Sequence, residues 1–382
     1  MAKIVIVQPY VPTYRAPLFE ALGRRLHDEG HDLVVASGEP TGPQSARLDS
    51  VHLRNVTHVP LRVRVLRAGR FQLRYTRARS VWRSADVVIV ELAAGSIASY
   101  GALLQRRRAV GVWGHVGAYV TADTRVTRAL RRWQARRADR VLAYTERGAR
   151  TAEAYGVPPH NITVLHNTID TSVLQAAVLL ERGRTPSAIR AELGVSSGPV
   201  FAMIGGVDAT KRVDLVVDAL DILWSQGSSI QLIVGGHGEL DVLFAPARAR
   251  GQVRMLGYVD DAQKGRIARV AIALVNPGRV GLIAVESMVM ALPLITTKTA
   301  RHGPEFDYLT PEAHLFVIPP NAPALAQMMV QLSESPSEVA RVSEAIEAAA
   351  GSHTLDMMVT EMVGAVSSLV HDGRRVRTHP NS

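Results

Sequence analysis

The feature that most constrains this chain is an alternation carried through twice. Short β-branched runs, each followed by a stretch with helical spacing, fill residues 3–165 and begin afresh at residue 200. Apolar strands separated by helices build parallel sheets covered on both faces, since a parallel pair needs a long crossover. Lys3–Gln8, His31–Ala36, Asp86–Val90, Ala109–Trp113, Arg140–Tyr144 and Ile162–Leu165 read as strands of the first series. Helical spacing lies near Arg15–Glu29, Arg70–Arg83, Ser96–Gln105, Thr124–Arg137 and Glu146–Tyr155. The second series predicts strands at Val200–Ile204, Ile230–Val234, Val253–Met255, Ala271–Val275, Leu294–Thr296 and Leu315–Ile318, with helices near Lys211–Gln226, Leu240–Arg250, Asp261–Val270 and Leu282–Met290. The expected class is α/β, two Rossmann-like doubly wound domains facing a cleft. The expected division is a first domain over 1–180, a polar linker region over 181–198 carrying one short helix, a second domain over 199–352, a C-terminal helix over 353–370 and a frayed tail over 371–382.

A length of 382 residues suits two domains, and 47% apolar against 20% charged residues suits large cores. The chain has no cysteine, which excludes disulfides, thiolate metal sites and cysteine nucleophiles. The apolar run Ile4–Val7 is too short for a secretory segment, and no stretch approaches the roughly 18 apolar residues of a membrane span. A cytoplasmic protein is expected, with any membrane contact peripheral. The net charge of +10 is lopsided: residues 1–180 hold 26 Lys+Arg against 13 Asp+Glu, and residues 181–382 hold 18 against 21. Only Lys3, Lys211, Lys264 and Lys298 are lysines, so 40 of the 44 basic residues are arginine. Such a skew fits codon bias, and it gives weight to a lysine inside a motif.

Open α/β domains bind ligands beyond the carboxyl ends of their strands. The loop Gln8–Pro17 after the first strand lacks G-x-G-x-x-G, which argues against a dinucleotide cofactor. In the second series, Ile204-Gly-Gly-Val-Asp-Ala-Thr-Lys reads either as a diphosphate cradle with Lys211 at a helix start or as a tight turn at Gly205-Gly206 beside a solvated lysine. Val234-Gly-Gly-His-Gly-Glu favours a structural turn. The Gly257–Val259 backbone, with Tyr258, is placed to face a flat base, and Asp260 or Asp261 caps the next helix. In Val275-Asn-Pro-Gly-Arg-Val-Gly-Leu-Ile-Ala-Val-Glu, Glu286 is the only carboxylate of an apolar helix and needs a partner, either a ribose diol or a structural cation.

Taken together, these elements resemble the retaining glycosyltransferases of family four, of the GT-B architecture, over roughly residues 3–370. Val164-Leu-His-Asn-Thr-Ile-Asp is similar to the family's domain-junction element, with Asn167 and Asp170 retained. Pro277, Gly281, Leu282, Glu286 and Pro293 match its P-x-x-E-G-F-G-L-x-x-x-E-A-x-x-x-G-x-P signature. The resemblance implies a nucleotide-diphosphate sugar as donor, no metal and no further cofactor, and a C-terminal helix returning toward the first domain. It implies donor contacts from Gly205, Gly206, Lys211, Arg212, Tyr258, Gly278, Val280, Gly281, Leu282 and Glu286. Lys211 would act on the diphosphate and Glu286 on the ribose. His115, in Val112-Trp-Gly-His-Val-Gly at a strand end, would face the donor sugar, and Tyr10, Tyr14 and Arg15 would line the acceptor side. Two positions depart from the pattern. Gly278 stands where the family has its first glutamate, and Gly206 where it has a phosphate-binding arginine; Arg212 or Arg279 either replaces the lost charge or is a solvated residue. Arg301-His-Gly-Pro-Glu-Phe resembles a subgroup element without an assigned role.

Arg67, Arg70, Arg74 and Arg77 share one face if helical, as do Arg125, Arg128, Arg132 and Arg136 with Trp133 nearby. Such faces fit an anionic membrane surface and a lipid-linked acceptor, or only solvent; no nucleic-acid module is evident. The acceptor classes that remain are a lipid-linked sugar, a polysaccharide and a secondary metabolite. The departures at Gly278 and Gly206 also admit a catalytically weak partner subunit, and the fold admits a nucleotide-sugar epimerase.

Overall fold

The structure is a computed structural model that describes residues 1–40, 51, 53–68, 71–105, 107–119 and 123–378. The chain divides into two compact units, Met1–Asp170 with Thr354–Ser382, and Thr171–His353.

The strands of the first unit are β1 (Lys3–Tyr10), β2 (Asp32–Gly38), β3 (Thr57–Pro60), β4 (Val63–Ala68), β5 (Phe71–Thr76), β6 (Val87–Glu91), β7 (Ala109–Gly114), β8 (Arg140–Ala143) and β9 (Ile162–Val164). Seven of them form a parallel sheet in the order β3-β2-β1-β6-β7-β8-β9. Ile4, Val5, Ile6, Val87, Val88, Ile89 and Val112 are at most 1% exposed, because helices on both faces remove the in–out alternation that a solvated sheet would show. One covering helix is Ala16–Asp28, whose Leu18, Phe19, Leu22 and Leu26 are buried at helical spacing. The C-terminal helix Leu355–Thr378 inserts Met358, Met362, Val366 and Leu369 into the same core.

The second unit holds β10 (Val200–Ile204), β11 (Gln231–Gly235), β12 (Val253–Met255), β13 (Leu274–Val275), β14 (Leu294–Thr297) and β15 (Leu315–Ile318). They form a parallel sheet in the order β12-β11-β10-β13-β14-β15, which reverses direction between β10 and β13. The first sheet reverses in the same way between β1 and β6.

Three expectations change. The helix at Arg70–Arg83 is instead an antiparallel hairpin of β4 and β5 followed by a short helix Arg79–Trp82; Val63, Val65, Leu73 and Tyr75 supply the two-residue period and β-branched or aromatic bulk of strands. Arg70 itself lies outside the described residues. The first unit ends at Asp170, ten residues before the expected boundary. The linker region carries one short helix, Pro186–Leu193, as expected, which buries Ile189 and Leu193; just before it the helix Ser172–Arg182 buries Leu174 and Val178. The C-terminal helix runs through the expected frayed segment as far as Thr378, and residues 379–382 lie outside the described residues. No helix among the described residues is long and apolar enough to cross a membrane.

Candidate functional site

Each unit presents a cluster of polar side chains beyond the carboxyl ends of its strands, at the reversal of strand order where open α/β sheets bind ligands.

In the second unit the cluster is built by two loops laced together. After β10, Gly205 takes φ +114°, a conformation that favours glycine, and the bare backbone lets the Lys211 side chain pack 3.8 Å from where a Cβ would stand. The chain then makes a 3-10 turn, Ala209–Lys211, capped by Asp208, and Arg212 adopts a left-handed conformation before the helix Val213–Ser225. Lys211 therefore precedes the helix rather than opening it. Its Nζ donates to the Arg279 carbonyl at 2.9 Å, and the Arg279 N–H donates to the Thr210 carbonyl at 2.7 Å. Gly278 lies inside this lacing. A Cβ there would stand 2.6 Å from the Lys211 Cα and closer still to the Thr210 carbonyl oxygen. The position where the family carries a glutamate is thus closed to any side chain.

Burial pushes the Lys211 pKa down to about 8, and the neighbouring Arg279 guanidinium adds to the shift; Asp208 and Glu286 oppose it. Arg212 forms a bidentate pair with Asp214 at 2.8 Å and faces solvent, so the second cation beside Lys211 is Arg279.

The Val280–Leu282 segment is pinned from its other side. The Val280 N–H donates to His302 Nδ1 at 3.1 Å, and the Gly303 N–H donates to the Val280 carbonyl at 2.6 Å. The Val280 side chain is fully buried, which leaves only its backbone for a ligand. His302 stacks on Phe306 at 3.7 Å between ring centroids; burial lowers its pKa to about 4, aided by the charge on Lys211. Neutral His302 keeps the acceptor lone pair that holds Val280.

Glu286 lies in the first turn of the helix Ile283–Met290. Its Oε1 accepts from Lys264 Nζ at 2.7 Å, and Lys264 also reaches Asp261 at 3.2 Å. Burial works against the Lys264 charge, but Glu286 and Asp261 outweigh it and raise its pKa. The structural cation is thus present, and Glu286 Oε2 has no partner among the described residues. Lys264 is a site residue the sequence analysis passed over. Its rarity is the signal that could have found it, as it found Lys211. Tyr258 stands 83% exposed beside Gly257. The second glycine loop packs onto the first: a Cβ at Gly236 would collide with the Gly205 carbonyl.

The first unit holds a cavity of about 690 Å³ lined by Tyr10, Tyr14, Arg15, Trp113, His115 and Tyr144 among others. The predicted acceptor-side residues and His115 therefore share one cavity. His115 follows the last residue of β7, with its ring edge-on to Tyr144 at 4.9 Å. Arg15, 7% exposed, donates to Asn167 Oδ1 at 2.5 Å and approaches Met358 Sδ at 3.7 Å. Trp113 and Tyr144 were not singled out in the sequence, where nothing marks an aromatic residue at a strand end as cavity-lining.

Two Rossmann-like units, each with polar side chains beyond its strand ends, form the architecture of a GT-B glycosyltransferase. The model of "Glycosyltransferase Family 4" matches residues 18–173, and that of "Glycosyl transferases group 1" matches residues 198–335. The chain belongs to this family of glycosyltransferases. It is 26% identical over 205 residues to the phosphatidyl-myo-inositol mannosyltransferase of Mycobacterium tuberculosis, a match covering 50% of this chain and 53% of that protein. It is 29% identical over 125 residues to the glycogen synthase of Paracoccus denitrificans, covering 31% and 27%. The chain thus spans about half or less of the curated relatives it matches. Among solved structures, Anabaena HepE in complex with UDP superimposes with a TM-score of 0.68 at 14% identity, over 96% of this chain and 100% of that one. A glycosyltransferase from Rickettsia africae gives 0.69 at 14% identity, over 97% and 98%. At these identities the likeness is one of fold.

Proposed function

We propose that this protein transfers a sugar, with retention at the anomeric carbon and without a metal, from a nucleoside diphosphate to an acceptor hydroxyl. The donor would lie on the second unit and the acceptor in the cavity of the first. One observation carries the donor assignment: Lys211 and Arg279 are crowded together at the β10 and β13 strand ends, and the Lys211 pKa is pushed down to about 8. A site that holds two cations short of counter-charge favours a dianionic ligand. HepE has been solved with UDP and with UDP-glucose, which makes UDP the first nucleotide to try here.

In the proposed reaction the bond from the anomeric carbon to the diphosphate oxygen breaks and the acceptor oxygen bonds to the same face of the sugar. The acceptor proton passes to the leaving phosphate oxygen. Charge grows on that diphosphate, and Lys211 and Arg279 stand ready to stabilise it. Glu286 Oε2, held by Lys264 through the other oxygen, would accept from the ribose hydroxyls, and His115 would orient the sugar.

The first unit also has features that fit an anionic membrane. Helix Arg125–Arg137 exposes Arg125, Val126, Arg128, Leu130, Arg132, Trp133 and Arg136, and the β4–β5 hairpin exposes Arg64, Leu66, Leu73 and Tyr75 along one face. Basic and apolar groups side by side suit a lipid interface better than either alone.

A thermal-shift panel of nucleotide-diphosphate sugars tests the donor reading, since a ligand raises Tm by mass action. NMR of the product then gives the anomeric configuration. Absence of nucleotide binding would favour a partner subunit without catalysis. Flotation with vesicles containing anionic lipid tests the membrane reading, and no binding at low salt would end it.

A further inference from the structure

Arg15 is a buried cation without a carboxylate among the described residues. It precedes the helix Ala16–Asp28, and its guanidinium carbon lies 5.5 Å from the ring centres of Tyr14 and Trp113 and 5.8 Å from that of Tyr144. Aromatic faces attract a cation but give its N–H groups no acceptor in the guanidinium plane. Asn167 accepts one of those N–H groups and the Met358 sulfur, a weak acceptor, faces another.

The other charges of the cavity are already matched. Glu91 pairs with Arg74, and Asp123 with Arg131. Arg15 has no ion-pair partner among the described residues, although a buried charge is costly unless paired. A second donor at the same wall is also unspent. Trp113 lies 3% exposed in the cavity lining, and its indole Nε1 has no hydrogen-bond partner among the described residues. Buried N–H groups without acceptors are rare. An unspent indole N–H beside a buried guanidinium that has no carboxylate among the described residues implies that the occupant supplies the acceptor.

We propose that the acceptor substrate carries an oxyanion, a phosphate or carboxylate, seated on Arg15 at the floor of the first unit's cavity, with the Trp113 N–H as a second donor. The planar fork of arginine matches two oxygens of such a group. This rests on the reading that the first-unit cavity holds the acceptor, and it narrows the acceptor to a charged molecule.

The test uses the full chain with glycerol 1-phosphate, glucuronate and neutral glucose as probes in calorimetry, and UDP as an independent probe of the donor site. Wild type and Lys211→Ala are expected to bind one of the two anions at least tenfold more tightly than glucose, and preference between the anions identifies phosphate or carboxylate. Arg15→Gln should lose that margin while binding UDP as wild type does. Trp113→Phe, which keeps the ring and removes the N–H, should weaken the anion severalfold and serves if Arg15→Gln does not fold. Anion binding that both variants leave intact, or no preference over glucose in wild type, overturns the proposal. Loss of UDP binding in wild type with the anion still bound would remove the donor reading and leave this one standing.

Discussion

Lys211 Nζ donates to the main-chain oxygen of Arg279 at 2.9 Å, across 68 residues of sequence. The bond ties the loop after β10 to the loop after β13, so a cation of the proposed donor site is also a structural tie. Lys211→Ala should reduce transfer at least about tenfold, on the order of 1.4 kcal/mol in the transition state, measured as kcat/KM at low donor concentration. Near-wild-type turnover would remove Lys211 from the diphosphate.

The depressed pKa gives a pH signature. A diphosphate binds the ammonium form, so donor affinity should hold below pH 8 and fall above it, read as Kd against pH; a flat profile from pH 7 to 9.5 would contradict the assignment. In the free protein the folded state holds this proton less tightly than the unfolded chain. Folding is therefore favoured as pH rises from about 8 toward the ordinary lysine value of 10.5. Lys211→Met, which removes the titrating group, should abolish this rise in the Tm of the nucleotide-free protein between pH 8 and 10.

Gly278 makes the opposite kind of prediction. Gly278→Glu restores the family's residue, yet its side chain would displace the Thr210–Lys211 backbone. The variant should lose about 1–3 kcal/mol of stability together with nucleotide binding, measured by thermal melts with and without UDP. Gly206→Arg should fold normally, because a Cβ there meets only the movable Asp208 carboxylate at 3.1 Å. A Gly278→Glu protein with wild-type Tm would mean that the two loops are not laced as described.

Lys264 should act on the donor through Glu286. Lys264→Met frees Glu286 Oε1 to swing, and donor KM should rise about fivefold or more with kcat little changed; Glu286→Gln should do the same. The double variant should cost no more than the worse single one, because groups that act as a unit are not additive. Full additivity would separate the two residues, and recovery in Lys264→Arg would support charge as the operative feature.

His302 predicts an acid-sensitive fold. Its folded pKa, about 4, lies below the ordinary 6.5, so it contributes stability that is complete above pH 6.5 and drains away as pH falls toward 4. The ring is partly exposed, and screening reduces the effect to about 1–2 kcal/mol. His302→Gln should flatten the Tm profile across that window; an unchanged acid limb would place the sensitivity elsewhere.

The two sheets were legible because parallel strands covered on both faces are continuous apolar runs such as Ile4–Val7 and Val200–Ile204. Residues 63–76 were not. Arg67, Arg74 and Arg77 fall at helical intervals by coincidence, while the decisive pattern, two-residue alternation over Val63, Val65, Leu73 and Tyr75, is interrupted by arginine on both faces. At the proposed donor site, Lys211 and Glu286 stood out in the sequence by rarity and by isolation in an apolar helix. The Lys264–Glu286 pair and the tie from Lys211 to Arg279 could not, since each joins residues far apart in the chain and depends on tertiary packing alone. Gly278 was visible as a departure, and only the neighbouring backbone explains it.

The first unit takes its last core helix, Leu355–Thr378, from beyond the whole of the second unit. A ribosome delivers residues 171–353 as one uninterrupted stretch, so the second unit has everything it needs while the first still lacks Met358, Met362, Val366 and Leu369. Until those side chains arrive, a strip of the first sheet and of helix Ala16–Asp28 stays open to water. The earlier-synthesised half should therefore be the later to mature, and the one that leans on chaperones during synthesis.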